Sequence, residues 1–382
     1  MVVMFTIVGL IVLGALAAGG VRADSVKYDM QRKWYITFTC GILSLQSGFR
    51  SYSVGADTYA YYLMFNQVKL TPWKTVLERL QNYYLYGNTM ELKDPGYELV
   101  EKTFQLTGLG YRAWLIFIAL MFFSAFGYYL YKNTSRVSDS CFAFVLYLLL
   151  FYGFYSVTGL RQTLAMACCL WAFEMVKRRK LLWFLTLVLL GSLVHKSALL
   201  FIPSYWVFQF GNPKRVLGAA ILLLPLAFVG RRYFVTLFAS LIGYEQYAEG
   251  FEGAGAYSYA ILAITAAALI WWKADKILSD NNTLGGFVCL FAVSVAIIPS
   301  LWVDPSLMRV VQYYSVAILV IFPALLRAMD SEIKSGKLGR LEKTQADEAS
   351  AMAKPGSLYL LCMLFLIAYC CVRFIGYNYQ FF

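Results

Sequence analysis

The sequence predicts an all-α polytopic integral membrane protein with about twelve transmembrane helices. Three observations lead there. Of 382 residues, 60% are hydrophobic and 14% are charged; a soluble domain carries about 25% charged residues, so this chain cannot build a water-facing surface of ordinary extent. Runs such as 181–194, 257–272 and 358–371 hold almost no charge and approach or reach membrane thickness. Lys and Arg gather in short segments between such runs, as they do in cytoplasmic loops.

Apolar runs lie near 2–20, 34–49, 111–131, 139–157, 161–176, 181–195, 197–210, 216–230, 257–272, 284–303, 307–326 and 357–376. No Lys or Arg precedes the first run, whereas Arg22, Lys27, Arg32 and Lys33 follow it. That polarity marks a retained helix with its N-terminus outside rather than a cleaved leader. Threading the runs alternately puts both termini outside. It collects Lys132/Arg136, the basic run 177–180, Lys214/Arg215, Lys273/Lys276 and the linker 327–356 on the cytoplasmic side. Outside lie a long segment, 50–110, and a shorter one, 231–256. Within the first, Trp73–Leu80 is amphipathic at helical spacing and suits a helix lying in the interface. Residues 1–382 then form a single transmembrane domain.

The net charge of +12 would suit nucleic acid, but the basic residues follow the loop pattern and no aromatic–basic module accompanies them. The implied partner is the bilayer, not nucleic acid. The eight cysteines lie in or beside apolar runs without a Cys-x-x-Cys pair and read as small hydrophobic filler. No Asp-x-Asp, His-Glu-x-x-His or phosphate-cradling glycine loop occurs, so neither a metal nor a cofactor is expected.

On this topology Arg50, Asp57, Arg161, His195, Lys196, Arg231, Arg232, Asp304 and Arg309 fall at or near the outer membrane surface. Ionisable groups at that depth are costly and mark a candidate site, the bland alternative being side chains that snorkel to lipid phosphates. A lipid diphosphate places its phosphates level with such arginines, whose guanidinium groups bind phosphate bidentately and stay charged. His195, the single histidine, either accepts a proton from a sugar hydroxyl or bonds a neighbouring helix. Asp57 is a base, a hydroxyl-binding group or the partner of Arg50. Tyr59, Tyr61 and Tyr62 stack on sugar rings or belong to an interface belt.

Four stretches resemble the EpsG family of Wzy-type polysaccharide polymerases. They are Gly48-Phe49-Arg50 with Ser53–Tyr59, Asp94-Pro95-Gly96-Tyr97, Gly159-Leu160-Arg161-Gln162-Thr163-Leu164-Ala165, and Leu193-Val194-His195-Lys196-Ser197-Ala198-Leu199. Met308–Tyr314 adds weaker support. Ala56 stands where the family has Thr and Asp94 where it has Glu, which keeps a carboxylate but shortens its reach. The resemblance implies a membrane glycosyltransferase of GT-C-like fold, independent of metal, at the outer face of the bacterial inner membrane. It would join undecaprenyl-diphosphate-linked oligosaccharide units into a capsule, O-antigen or exopolysaccharide, with a flippase and a chain-length regulator as further partners. On this reading His195, Asp57 and Arg161 are catalytic. Arg50, Arg161, Gln162, Arg309, Tyr59, Asp94 and Tyr313 bind substrate, and no residue binds metal. The rival functions are a flippase or transporter of the lipid-linked unit and a glycan ligase or membrane acyltransferase. The nearly apolar mid-helix positions argue against a transport pathway.

Overall fold

The computed structural model describes residues 2–18, 26–55, 57–87, 94–242, 257–279, 282–338 and 356–376, and every regular element among them is helical. Arg22, Ala56, residues 243–256 of the second outer segment and residues 339–355 of the basic linker lie outside the described residues. The chain divides into two compact units, Met1–Ile202 with Met363–Phe382, and Pro203–Cys362.

The first unit contains α1 (Val2–Ala18), α2 (Val26–Phe49), α3 (Thr58–Leu70), α4 (Trp73–Tyr86), α5 (Pro95–Gln105), α6 (Tyr111–Asn133), α7 (Val137–Leu150), α8 (Leu160–Lys177) and α9 (Leu181–Val194). A π-helical turn, Gly153–Thr158, leads into α8, and a 3-10 turn, Lys196–Phe201, follows α9. α6 begins after Gly108-Leu109-Gly110 and ends where the Thr134 hydroxyl turns back to the Leu130 carbonyl at 2.8 Å. Its 23 residues reach roughly 34 Å at about 1.5 Å per residue, enough to cross a hydrocarbon core of about 30 Å.

Polar bonds fix which helix ends meet. Lys177 donates to Asn133 at 2.9 Å and Arg32 donates to the Tyr131 carbonyl at 2.9 Å, so the start of α2 and the ends of α6 and α8 share one end of the unit. At the other end Arg112 donates to the Gly48 carbonyl at 3.2 Å, joining the start of α6 to the end of α2. α3, α4 and α5 cover that second end. Lys102 and Gln105 of α5 donate to the carbonyls of Val68 (3.0 Å) and Phe65 (2.7 Å), satisfying the last turns of α3. Arg79 of α4 pairs with the buried Glu98 of α5 at 2.7 Å. Among its described residues the long segment 50–110 thus carries three helices.

The second unit holds α10 (Ser204–Val207), α11 (Pro213–Leu222), α12 (Leu224–Val229), α13 (Arg231–Ile242), α14 (Tyr257–Trp272), α15 (Ala274–Ser279), α16 (Asn282–Ile297), α17 (Met308–Ser315) and α18 (Ile318–Leu338). The last helix, α19 (Ser357–Gly376), begins here, where Asp330 accepts from the backbone N–H groups of Leu358 (3.1 Å) and Tyr359 (3.2 Å).

The all-helical, apolar character expected from the sequence is present, with Leu182, Leu222 and Val229 about four-fifths exposed (78%, 79% and 80%) as on a lipid-facing surface. Several expected crossings differ in detail. The run 197–210 is a 3-10 turn and a short helix separated at Pro203, and 216–230 is split at Pro225 into α11 and α12. Proline has no N–H to continue the ladder and crowds the preceding turn. The run 307–326 is bent by 60° between Pro305–Ser315 and Ile318–Ser331. Residues 231–242, expected as outer loop, form α13. Among the described residues, Tyr111–Asn133 and Thr283–Trp302 are each long and apolar enough to cross a membrane, and the bent pair makes a third.

Candidate functional site

The site begins with a helix that breaks its own capping rule. α5 opens on Asp94-Pro95, with proline in the first turn, where its missing N–H costs nothing. An aspartate before a helix normally accepts from the first free N–H groups, an interaction of about 1 kcal/mol. Asp94 makes no such cap. Its carboxylate turns to other segments: Oδ2 accepts from Arg161 Nη1 and from His195 Nδ1, both at 3.0 Å, and Oδ1 accepts from the Lys196 backbone N–H at 3.3 Å.

This reach requires close packing. Gly96, in the first turn of α5, lies against the end of α9, where an added Cβ would stand 2.0 Å from the Leu193 carbonyl oxygen. Only hydrogen fits there, and it brings Asp94 against the turn that carries His195. Tyr84 of α4 reinforces the contact by donating to the same carbonyl at 3.3 Å.

Arg161 is held from behind. It occupies the first turn of α8, just after the π turn. In such a widened turn the usual helical pairing is lost, and side chains satisfy the freed carbonyls. Ser47 donates to Ser156 O at 2.7 Å and Thr58 to Val157 O at 3.1 Å. Gly55, at φ +96°, lets the chain turn into α3 beside Val157. Arg161 Nε donates to the Tyr61 hydroxyl at 3.1 Å, while Nη2 has no partner among the described residues.

Asp94 is almost wholly buried, with a side chain 3% exposed, and two potential cations share one of its oxygens. A carboxylate so placed is tolerable because it is paired and hydrogen-bonded. An ionised carboxylate can only accept, so His195 carries its hydrogen on Nδ1 and, when neutral, a lone pair on Nε2. Nε2 makes no hydrogen bond among the described residues. The cluster therefore offers an oriented base and a guanidinium with a free edge. Tyr83 and Tyr84 stand beside it. Burial first, and the Asp94 charge second, push the Tyr83 phenol up to about 12, so it is neutral and available as a hydrogen-bond donor.

The other residues singled out from the sequence are distributed as follows. Asp57 precedes α3, accepts the Tyr61 N–H through its carbonyl, and has no ion pair or side-chain hydrogen bond among the described residues. Of its three alternative roles, the pairing with Arg50 is not formed among the described residues. Arg50 is 1% exposed and donates from Nη1 to the Ser47 carbonyl at 2.5 Å; its Nε and Nη2 have no hydrogen-bond partner among the described residues. Burial lowers its pKa to about 10, which leaves it charged at neutral pH. Tyr59 is exposed and Gln162 buried. Arg309 and Tyr313 belong to the second unit, Arg309 half-buried in the first turn of α17 and Tyr313 fully buried. The grouping of Asp94, Arg161, His195 and Tyr61 is drawn from four separate segments.

Sequence reasoning missed Glu101, Tyr97 and Trp114. Tyr97 packs edge-on against Tyr61, with ring centroids 5.8 Å apart, and accepts from Trp114 Nε1 at 3.1 Å. A signal was present. Asp94, Tyr97, Glu98, Glu101 and Gln105 share one face of α5 at helical spacing, and all but Gln105 are buried. A helix that buries its acidic face is inverted relative to an ordinary surface helix.

The sequence model of the EpsG family matches residues 33–337, more than half of the chain. No curated protein and no solved structure matches.

Proposed function

The chain belongs to the EpsG family, and from that premise we propose that it polymerises lipid-diphosphate-linked oligosaccharide units by glycosyl transfer at the Asp94 cluster. Family membership supports a polysaccharide-polymerase-like role in a membrane protein. The finer reading is carried by one observation, the carboxylate of Asp94 bridging Arg161 and His195 at 3.0 Å each.

In this mechanism the growing chain is transferred from its undecaprenyl diphosphate to a hydroxyl of the incoming unit. The acceptor oxygen forms the new bond to the anomeric carbon, the bond from that carbon to the diphosphate oxygen breaks, and the diphosphate leaves with the electron pair. Arg161 stabilises the charge that develops on the leaving group through the guanidinium edge not held by Asp94 or Tyr61. His195 Nε2 takes the hydroxyl proton, and Asp94 keeps the ring oriented and stabilises the imidazolium. Asp94 thus moves from the substrate-binding role expected of it to an orienting one. Arg50 adds positive potential from within the fold. Asp57, one helical turn before Tyr61, is left as a hydroxyl-binding group.

The site lies at the end of the first unit opposite Arg32, Lys177 and Arg178. The positive-inside rule assigns that basic end to the cytoplasm and the site to the outer face of the bacterial inner membrane. A gel of the surface glycan tests the reading. A deletion strain complemented with wild type should show a ladder, and Arg161→Ala should leave a single repeat unit on its acceptor. Arg161→Lys should lose most activity, because an ammonium cannot make the planar contacts of a guanidinium. If the single unit never reaches the outer face, or finished chains are never attached, the protein is a flippase or a ligase and polymerisation is excluded.

A further inference from the structure

Among the described residues Glu101 is the most deeply buried carboxyl, and this mechanism leaves it unused. It lies on α5 seven residues beyond Asp94, its residue is 0% exposed, and no cation pairs with it among the described residues. Neither carboxyl oxygen has a hydrogen bond of good geometry, and the polar groups beside it are the Tyr97 hydroxyl and the Trp114 indole N–H. An ionised carboxylate in such a place loses its hydration and gains no counter-ion. A neutral carboxylic acid does not incur that cost, and it can both accept and donate a hydrogen bond.

Its neighbours lead directly into the site. Trp114 donates to the Tyr97 oxygen at 3.1 Å, so the Tyr97 O–H must find its own acceptor, and Glu101 is the group at hand. The Tyr97 ring packs against Tyr61, and the Tyr61 hydroxyl receives Arg161 Nε at 3.1 Å. The titratable and charged groups that act on Glu101 are Tyr97 and Glu98 on its own helix, Tyr111 on α6 and Arg161 on α8. Of the other elements packed on α5, α3 sets Tyr61 against Tyr97, α4 sets Arg79 on Glu98, and the turn after α9 sets His195 on Asp94.

We propose that Glu101 is a positioning residue that works as a neutral carboxylic acid, and that its ionisation disables the site at alkaline pH. While neutral it fixes Tyr97, hence Tyr61 and the guanidinium of Arg161. Once ionised it draws Arg161 inward, in competition with Asp94 and with the substrate phosphates, and sets a second negative charge near the diphosphate. Burial is the main influence on its titration and raises the pKa to about 8, with Tyr97, Trp114 and Arg161 opposing the rise. The switch therefore falls just above neutral pH.

The proposal rests on the polymerase reading for its functional half, so its test has two arms. Difference infrared spectroscopy on the purified full chain, between about pH 7 and pH 9.5, reads the carbonyl stretch of a protonated carboxylic acid. Wild type should lose that band with a midpoint near 8, and Glu101→Gln should lack this component. A Glu101 carboxylate already ionised at neutral pH overturns the proposal, whatever the protein's activity. In the glycan ladder Glu101→Gln, an isosteric neutral side chain, should retain polymerisation, whereas Glu101→Ala should lower it by up to about a hundredfold, the loss expected when a catalytic group is misplaced by an ångström. In membrane vesicles supplied with the strain's own lipid-linked units, Glu101→Gln should also lack the wild-type decline above pH 8. A folded Glu101→Gln that fails like Arg161→Ala would require a charged Glu101 and overturn the neutral-acid role. A clear infrared result with no polymerisation in wild type would instead overturn the polymerase reading.

Discussion

Asp94 and Glu101 stand two turns apart on the same face of α5, are almost equally buried at 4% and 0% exposure, and live in opposite electrostatic worlds. Asp94 faces outward from the helix start to two side chains that can be cationic and to a backbone N–H, so its charge is held by three donors. Glu101 faces inward among Tyr97, Trp114 and Tyr111, so its proton is the cheaper state. Burial alone does not set the charge of a carboxyl; the donors within reach do. The same contrast separates the arginines. Arg161 keeps a free edge at the site, whereas Arg50 is enclosed by its own fold and uses one nitrogen on a backbone carbonyl.

The sharpest way to break the comparison is to remove Asp94. Asp94→Asn keeps the shape but not the charge that fixes the His195 tautomer, and activity should fall by about three to four orders of magnitude, as when the carboxylate behind a catalytic histidine is neutralised elsewhere. Ladder formation in the complemented strain reads the effect. If Asp94→Asn polymerises normally, the cluster is structural. His195→Ala should cost about two to four orders of magnitude by removing the base. Asp57→Ala, on a carboxylate with no partner among the described residues, should cost less than either. The reverse order would make Asp57 the base and leave His195 as a bond between helices.

Gly96→Ala tests the packing that makes Asp94's reach possible. A Cβ 2.0 Å from the Leu193 oxygen cannot be accommodated without moving α5, and overpacking of this kind costs about 1–3 kcal/mol. Thermal unfolding of the purified protein should show that loss, and activity should fall further than stability because the displacement is at the site. An unchanged ladder would mean that the α5–α9 contact is not needed for catalysis.

Much of this was legible before the fold. Arg161 and His195 stood out because charge at helix ends is costly in a bilayer, and Asp94 because its motif resembled a family segment. Their meeting was not legible: positions 94, 161 and 195 are joined only by packing of α5, α8 and α9, and Asp94's refusal to cap its helix follows from that packing. Nor could apolar run length reveal the breaks at Pro203 and Pro225, where proline removes a backbone hydrogen bond, or the 60° bend after Ser315, since hydropathy carries no information on backbone geometry. Glu101 was hidden for a related reason, as an acidic residue in a polar segment reads as exposed until the helix face is drawn.

The smallest predicted effect sharpens the contrast between the two carboxyls through stability rather than activity. Glu101 has a folded-state pKa of about 8, above the 4.5 of an unperturbed glutamic acid. The folded protein therefore holds this proton more tightly than the unfolded chain does. The stability linked to it is fully present below pH 4.5, declines as pH rises, and is gone once pH passes about 8. This is opposite in sign to an ion-paired carboxylate, which stabilises as it ionises. Glu101→Gln cannot titrate, so the melting temperature of wild type relative to that variant should fall from pH 4.5 to 8 and then level off. A difference that is flat with pH, or that rises, would mean that Glu101 is ionised in the fold and has a cationic partner, making it a second Asp94 rather than its opposite.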